Sequence, residues 1–257
     1  MLKPLTILIT GASAGIGEAT ARQLSAQGHK LILVARRADR LEALKRELPT
    51  DVLIAAADIT DRQAVNAMFT DLPRAFADID VLVNNAGMAV GVAPAQEAAL
   101  NDWERVIDTN IKGLLYLTHG VVPGMVEKGS GHIVNIGSVA AILPYQGGNV
   151  YGATKAFVQQ FSRNLRTDLH GTGVRVSNIQ PGMTETEFSE VRLGSKTEAH
   201  AVYQGMQPLT AEDVARAIVW VVGQPPHVNI DNIDIIPLDQ TWGGPAVHRR
   251  TSAQAAR

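Results

Sequence analysis

Tyr151 and Lys155 stand four residues apart in the run Tyr151-Gly-Ala-Thr-Lys155, a spacing that puts both side chains on one face of a helix. Such a pair can do proton chemistry. A phenol with the usual pKa of ~10 is a poor base at neutral pH, but a neighbouring ammonium and a cationic cofactor ring would stabilise its phenolate. Ser138, thirteen positions earlier and just past an apolar β-rich run, can donate to a substrate oxygen; a turn or capping serine is the alternative. Asn110 lies in an otherwise apolar helical stretch at 102–125, where a buried amide needs a partner and water in an active site would serve.

A second group of residues suits a dinucleotide. The turn Thr10-Gly11-Ala12-Ser13-Ala14-Gly15-Ile16-Gly17 leads from the apolar run 5–9 into the helical segment 18–27. Glycines let the backbone approach a pyrophosphate, and a helix N-terminus offers unpaired N–H groups to it. The spacing Gly-x-x-x-Gly-x-Gly differs from the G-x-G-x-x-G of most dinucleotide folds. Beyond the next apolar run, where NAD-binding folds carry an acidic residue, stand Arg36 and Arg37. Their guanidinium groups would attract the additional phosphate of NADP, unless they are simply solvated. Asp58 could accept from an adenine amino group or cap the helix before Thr60. Asn84, Asn85, Ala86 and Gly87 follow the fourth apolar run.

These residues need a frame. Short apolar runs at 5–9, 30–35, 52–56, 79–83, 132–137, 174–180 and 233–238 alternate with helical segments, which predicts βαβ repeats in one doubly wound α/β domain with a parallel sheet of about seven strands. The strands are apolar throughout, as helices on both faces require. Ligand should lie beyond the strands' carboxyl ends. Residues 183–208 are polar without a strong period and read as a lid over the site. The tail after Leu238, with Trp242, Gly243, Gly244, Pro245 and His248, is expected to be irregular, and 251–257 to fray.

Bulk properties exclude several classes. The net charge of −2 leaves no basic surplus for nucleic acid or anionic lipid. Cysteine is absent and the seven histidines form no close pair at ligand spacing, so thiolate catalysis is out and a metal-dependent alcohol dehydrogenase is disfavoured. No apolar run reaches membrane-spanning length, and the start lacks the long apolar stretch of a signal sequence. A cytoplasmic enzyme is expected.

Taken together, TGASAGIG, NNAG, Asn110, Ser138, YGATK and Pro181-Gly182 resemble the short-chain dehydrogenase/reductase family over essentially the whole chain. The resemblance implies an NADP(H)-dependent oxidoreductase with a Rossmann fold. Tyr151 would be the proton donor, Ser138 the orienting donor, Lys155 the group that binds the nicotinamide ribose and tunes Tyr151, and Asn110 the anchor of a relay water. It further implies Asn84 near the cofactor ribose, Thr186 near the nicotinamide amide, and a homotetramer built on the helices of 102–125 and from Tyr151 onward.

Longer stretches, among them Pro144-Tyr-Gln-Gly-Gly-Asn-Val-Tyr151 and Leu165-Arg-Thr-Asp-Leu-His-Gly171, resemble the NADP-dependent 3-hydroxy acid dehydrogenase branch, which includes enzymes of serine, L-allo-threonine and 3-hydroxypropionate. A sulfoacetaldehyde reductase resembles the same branch. The chain departs from it at 183–187, one residue shorter and without a Gly-Gly pair. Either substrate is anionic, so a cationic clamp is expected, with Arg192 as the candidate and a solvated loop arginine as the alternative. Tyr145, Gln146, Gly148 and Trp242 would line the pocket or merely pack. The reading from another class is a dinucleotide-sensing protein that keeps the fold without turnover.

Overall fold

The computed structural model describes residues 3–242; the tail beyond Trp242, including the expected fraying at 251–257, lies outside the described residues. Seven strands run in the order β3-β2-β1-β4-β5-β6-β7, all parallel. They are β1 (Thr6–Thr10), β2 (Lys30–Ala35), β3 (Val52–Ala56), β4 (Val81–Asn84), β5 (Gly131–Ile136), β6 (Val174–Pro181) and β7 (Asn232–Ile235). Each strand after β1 follows a helical crossover; the order reverses between β1 and β4, and the crevice of a doubly wound sheet opens there.

Alternation of side chains explains why both faces are apolar. Ile7, Ile9, Leu31 and Leu33 point into one core, packed by α1 (Gly15–Ala26) and α9 (Ala211–Val222), while Leu8, Ile32 and Val34 point into the other. Leu117, Val121 and Met125 of α5 (Leu114–Lys128) close that second core. Truncating a fully buried residue such as Leu8 to alanine would cost about 2–5 kcal/mol. Among the described residues no helix is long and apolar enough to cross a membrane.

Three elements differ from their sequence expectation. The segment predicted as one helix over 102–125 is α4 (Leu100–Ile107), a π turn (Asp108–Gly113) and α5, which follow one another without a break. The π turn carries Asn110, whose side chain is drawn out to Met88 and Thr154; such bulges concentrate at functional sites. The last strand stops at Ile235 instead of running to Leu238, because Pro237 has no N–H to give a ladder. Residues 183–208, read as polar without a strong period, hold two short helices, α7 (Glu187–Leu193) and α8 (Lys196–Val202), capped by the side chains of Thr186 and Ser195 and separated by Gly194 in the left-handed region. At seven residues each, they are too short to show a period.

Candidate active site

The carboxyl ends of β1, β4, β5 and β6 open into a cleft of about 800 Å³. Of the residues singled out above, Gly11, Ser13, Gly15, Ile16, Arg36, Arg37, Asp58, Ala86, Gly87, Ser138, Tyr145, Gln146, Tyr151, Lys155, Pro181, Gly182, Thr186 and Arg192 line it. Gly17, Asn84, Asn110, Gly148 and Trp242 are absent from its walls.

One end of the cleft is built for a diphosphate. Gly11 turns with φ +65°, a conformation that L side chains rarely adopt. A Cβ on Gly17 would collide with the Gly11 carbonyl and the Asn85 amide, so Gly17 lets α1 start directly under the turn. No side chain caps α1 at Ala14, which leaves the N–H groups of its first turn available to an anion. Thr186 sits across from the turn: a Cβ on Gly15 would lie 3.3 Å from the Cβ of Thr186. The residues present therefore fit a dinucleotide, with the helix end under its diphosphate.

Beyond β2, Arg37 reaches back to the turn, its Nε donating to Ser13 Oγ at 3.1 Å and its Nη1 to Glu187 at 2.9 Å. Arg36 is 74 % exposed and has only Asp58, 4.0 Å away, as an acidic neighbour. Of the two alternatives weighed for Asp58, the helix cap does not describe its contacts. Its Oδ1 accepts from the N–H and hydroxyl of Thr60, whereas Asp61 caps α3 (Arg62–Thr70) by accepting from Gln63 and Ala64. Asp58 still presents itself to the cleft.

The NNAG segment divides its labour in a way the sequence does not announce. Asn84 ends β4 pointing into the protein, where its Nδ2 donates to Thr118 and Asn135. It does not reach the cleft, so the contact with a cofactor ribose expected of it is not available to this side chain. Asn85, given no role of its own above, lines the cleft and braces the glycine turn by donating from Nδ2 to the Thr10 carbonyl at 2.8 Å. The Thr10 hydroxyl in turn accepts from the N–H groups of Asn85 and Ala86.

At the other end stand the chemical groups. Tyr151 and Lys155 lie on α6 (Asn149–Asp168), and Lys155 Nζ sits 5.9 Å from the centre of the Tyr151 ring. One of its three N–H groups is spent on the Ile136 carbonyl at 2.7 Å. Burial pushes the Lys155 ammonium down to about 8 and the Tyr151 hydroxyl up to about 12. A hydrogen bond with Ser138 and the charge of Arg192 oppose the rise at Tyr151. Ser138 also caps a short 3₁₀ turn (Val139–Ala141), accepting from the Ala140 N–H at 3.1 Å; its two roles, capping and facing the cleft, coexist.

Asn110 is satisfied without water. Its Oδ1 accepts from the Met88 N–H, and its Nδ2 donates to the Met88 carbonyl and to Thr154. Both Nδ2 hydrogens are used, so a relay water is left the second lone pair of Oδ1 or the main chain. Gly148 is the residue before α6, and a Cβ on it would meet the Tyr145 ring; it gives room and does not line the pocket.

Arg192, on α7, points into the cleft. Its guanidinium carbon is 5.3 Å from the Tyr145 ring centre and 5.8 Å from that of Tyr151. Nε and Nη2 donate to the carbonyls of Gly91 and Gly147, both at 3.3 Å. This is a packed, half-buried cation and not a solvated loop arginine. Phe188, one turn earlier and not singled out, meets the Tyr151 ring at a tilt of 53°, the ring centres 5.6 Å apart. Tyr203 and Gln240 also line the cleft. Tyr203 donates to the Thr184 carbonyl and bonds Ser189, while Gln240 accepts from the Met183 N–H. Only their separation in sequence hid them.

A seven-stranded parallel sheet with a glycine turn at its switch point and Ser138, Tyr151 and Lys155 in one cleft defines a nucleotide-dependent oxidoreductase of the short-chain type. Residues 5–195 match the family described as short chain dehydrogenase, and the chain belongs to that family. It is 53% identical over 247 residues to the NADP-dependent 3-hydroxy acid dehydrogenase YdfG of Salmonella typhi, covering 95% of this chain and all of the relative. It is 52% identical over 247 residues to a serine 3-dehydrogenase of Agrobacterium fabrum, covering 96% of this chain and 99% of the relative. Among solved structures it resembles a closed form of serine dehydrogenase complexed with NADP+, with a TM-score of 0.91, 53% identity, and coverage of 95% of this chain and 99% of the other.

Proposed function

We propose that this chain is an NADP(H)-dependent dehydrogenase that interconverts a small 3-hydroxy acid, serine among the candidates, with its carbonyl form. The observation that carries the reading is one continuous cleft: Arg36 and Arg37 stand at the cofactor end, and Ser138, Tyr151, Lys155 and Arg192 at the other. Of the relatives named above, one is an NADP-dependent 3-hydroxy acid dehydrogenase and one a serine 3-dehydrogenase, and the similar solved structure is a serine dehydrogenase with NADP+, which supports the chemistry assigned to that cleft.

When bound, the nicotinamide supplies or accepts the hydride. The protein's own part is proton and charge management. With its hydroxyl pushed up to about 12, Tyr151 is protonated at neutral pH and ready to give a proton to an alkoxide forming in front of it. Ser138 donates to the same oxygen and fixes the carbonyl. Lys155 keeps two N–H groups beyond the one held by Ile136, enough to hold the ribose. In the direction of oxidation Tyr151 must lose its proton, and the nearby charge of Arg192 with the Ser138 bond favours that loss.

Arg192 is the anion clamp. It is the cation that faces Tyr145 and Tyr151 at the substrate end, so a carboxylate held there would direct the adjacent carbonyl toward Ser138 and Tyr151. Residues 183–208, which bring Arg192 and Phe188 to the site, form the lid over it. The chain works in the cytoplasm as a homotetramer. Ile107, Ile111, Leu115 and Val122 stay partly exposed along α4, the π turn and α5, and Phe157 stacks on Phe161, 5.7 Å apart, on partly exposed α6. Those faces are the ones a second subunit would cover.

The test is a panel of serine, allo-threonine, 3-hydroxypropionate, malonic and succinic semialdehydes and sulfoacetaldehyde, ranked by kcat/KM with NADP(H). The carboxylates should rank first. Preference for sulfoacetaldehyde would keep the mechanism and change the substrate; stoichiometric cofactor binding with no turnover on any compound would leave a sensing protein.

A further inference from the structure

The carboxylate of Glu187 stands between two guanidinium groups that border the adenosine end of the cleft. Its Oε2 accepts from Arg37 Nη1 at 2.9 Å and its Oε1 from Arg40 Nη1 at 2.6 Å. Arg37 is otherwise committed to the glycine turn, through Nε to Ser13 Oγ and Nη2 to the Ser13 carbonyl. Three of the five N–H groups of Arg37 are thus given to protein oxygens, one from each nitrogen. Glu187 is also the first residue of α7, the helix that carries Phe188 and Arg192 to the substrate end. Some 150 residues separate it from Arg37, so the contact joins the two ends of the cleft and does not follow from local structure.

We propose that Glu187 is a built-in competitor for the 2′-phosphate of the cofactor: the phosphate takes the guanidinium groups of Arg37 and Arg40 from it, and in doing so unties the first turn of α7. The proposal rests on the reading that Arg37 serves the phosphate of NADP(H). The chemistry is one of like for like, since a carboxylate and a phosphate monoester both accept paired N–H donors from arginine. A phosphate that takes the N–H groups now pointing at Glu187 displaces the carboxylate from them, and two anions drawn to the same guanidinium groups repel each other. The pull of both arginines holds the Glu187 carboxyl below the usual carboxylate range, so the competitor is charged throughout the neutral range. NAD(H), which has no phosphate at that position, would leave the contact intact. Discrimination between the cofactors thus acquires a second consequence, freedom of the helix that bears the anion clamp.

The experiment is titration calorimetry with adenosine 2′,5′-bisphosphate and with 5′-AMP as probes, on the unaltered protein, Glu187→Gln, Glu185→Gln and Arg37→Ala. Hydrogen exchange of the α7 amides is followed in parallel. Glu185→Gln removes the same charge from the same segment, but its carboxylate faces His200 and not the arginines. Glu187→Gln should bind the bisphosphate about threefold to tenfold more tightly, the range expected for losing a partly exposed competing ion pair. Its affinity for 5′-AMP should not change, and Glu185→Gln should behave like the unaltered protein. The bisphosphate should speed exchange in α7 of the unaltered protein, while Glu187→Gln should exchange fast without ligand and gain nothing from it. Unchanged or weaker bisphosphate binding in Glu187→Gln, an equal gain in Glu185→Gln, or α7 exchange indifferent to the bisphosphate overturns the proposal while leaving the cofactor assignment standing. If the unaltered protein prefers the bisphosphate no more than 5′-AMP, and Arg37→Ala changes nothing, the cofactor assignment falls and takes this proposal with it.

Discussion

The guanidinium of Arg192 lies 5.8 Å from the ring centre of Tyr151, held there by the carbonyls of Gly91 and Gly147. A cation placed beside the proton donor can serve the substrate's anion and the donor's ionisation together. Arg192→Ala should therefore cost roughly 2–4 kcal/mol in transition-state binding of an anionic aldehyde and much less for a neutral aldehyde of similar size. The measurement is kcat/KM for both. Equal losses would show that Arg192 only ties α7 to the Gly91 and Gly147 loops.

Tyr151→Phe removes the proton donor and little volume. It should bind NADPH as before and lose nearly all turnover. Retention of more than about a tenth of kcat, a barrier change below about 1.4 kcal/mol, would contradict the assigned role. Lys155→Ala should harm both cofactor binding and rate, because its Nζ would serve the ribose as well as the site around Tyr151.

Cofactor preference should follow the arginines. Replacing Arg36 and Arg37 together by alanine should erase the preference for NADP(H) over NAD(H), each charge-assisted contact contributing roughly 1.5–3 kcal/mol. Steady-state kcat/KM with the two cofactors decides it, and an undiminished preference would move the phosphate site elsewhere.

His132, buried beside β6 with Nε2 against Ser177, is held down to about 3 by burial and by the charge of Arg175. Its unfolded value is near ~6.5, so the unfolded chain binds more protons than the folded one between those values. Stability from this group is full above about 6.5 and is lost as pH falls toward 3. Thermal or urea unfolding between pH 7 and 4 should show that decline, of the order of 3–4 kcal/mol for one such group. In His132→Asn the slope over this window should flatten; an unchanged slope would assign the acid sensitivity to other groups.

Light scattering at micromolar concentration should give the mass of four chains. Replacing Ile111 and Leu115, partly exposed on the π turn and α5, by charged residues should shift the mass downward. A monomeric unaltered protein would refute the assembly.

Much of this protein is legible along the chain because its fold repeats a local rule. Strands 30–35 and 52–56 have the bounds expected of them, since each is a short, mostly apolar run that a charged residue follows within two positions. The glycine turn and the Tyr151–Lys155 pair are local too, being fixed by φ at Gly11 and by helical spacing. What misled was local ambiguity. Asn84 and Asn85 are the same residue type side by side, and only the pleat of β4 sends the first to Thr118 and Asn135 and the second to the Thr10 carbonyl. Asp58 and Asp61 both precede a helix, and only Asp61 accepts from the N–H groups of its first turn.

Short-range signals in the chain were enough for the doubly wound α/β class, the seven strands in chain order, the glycine turn and the types of group that meet at the site, because periodicity, turn residues and short motifs act over a few positions. Tertiary structure alone decided which groups meet across distance. Arg192 comes to Tyr145 and Tyr151, Glu187 to Arg37 and Arg40, and Asn110 to Met88 and Thr154 because the sheet brings its strand ends to one edge. No local preference encodes those meetings; they arise when burying two apolar faces leaves the polar ends of the strands, and the loops that follow them, with one crevice to share.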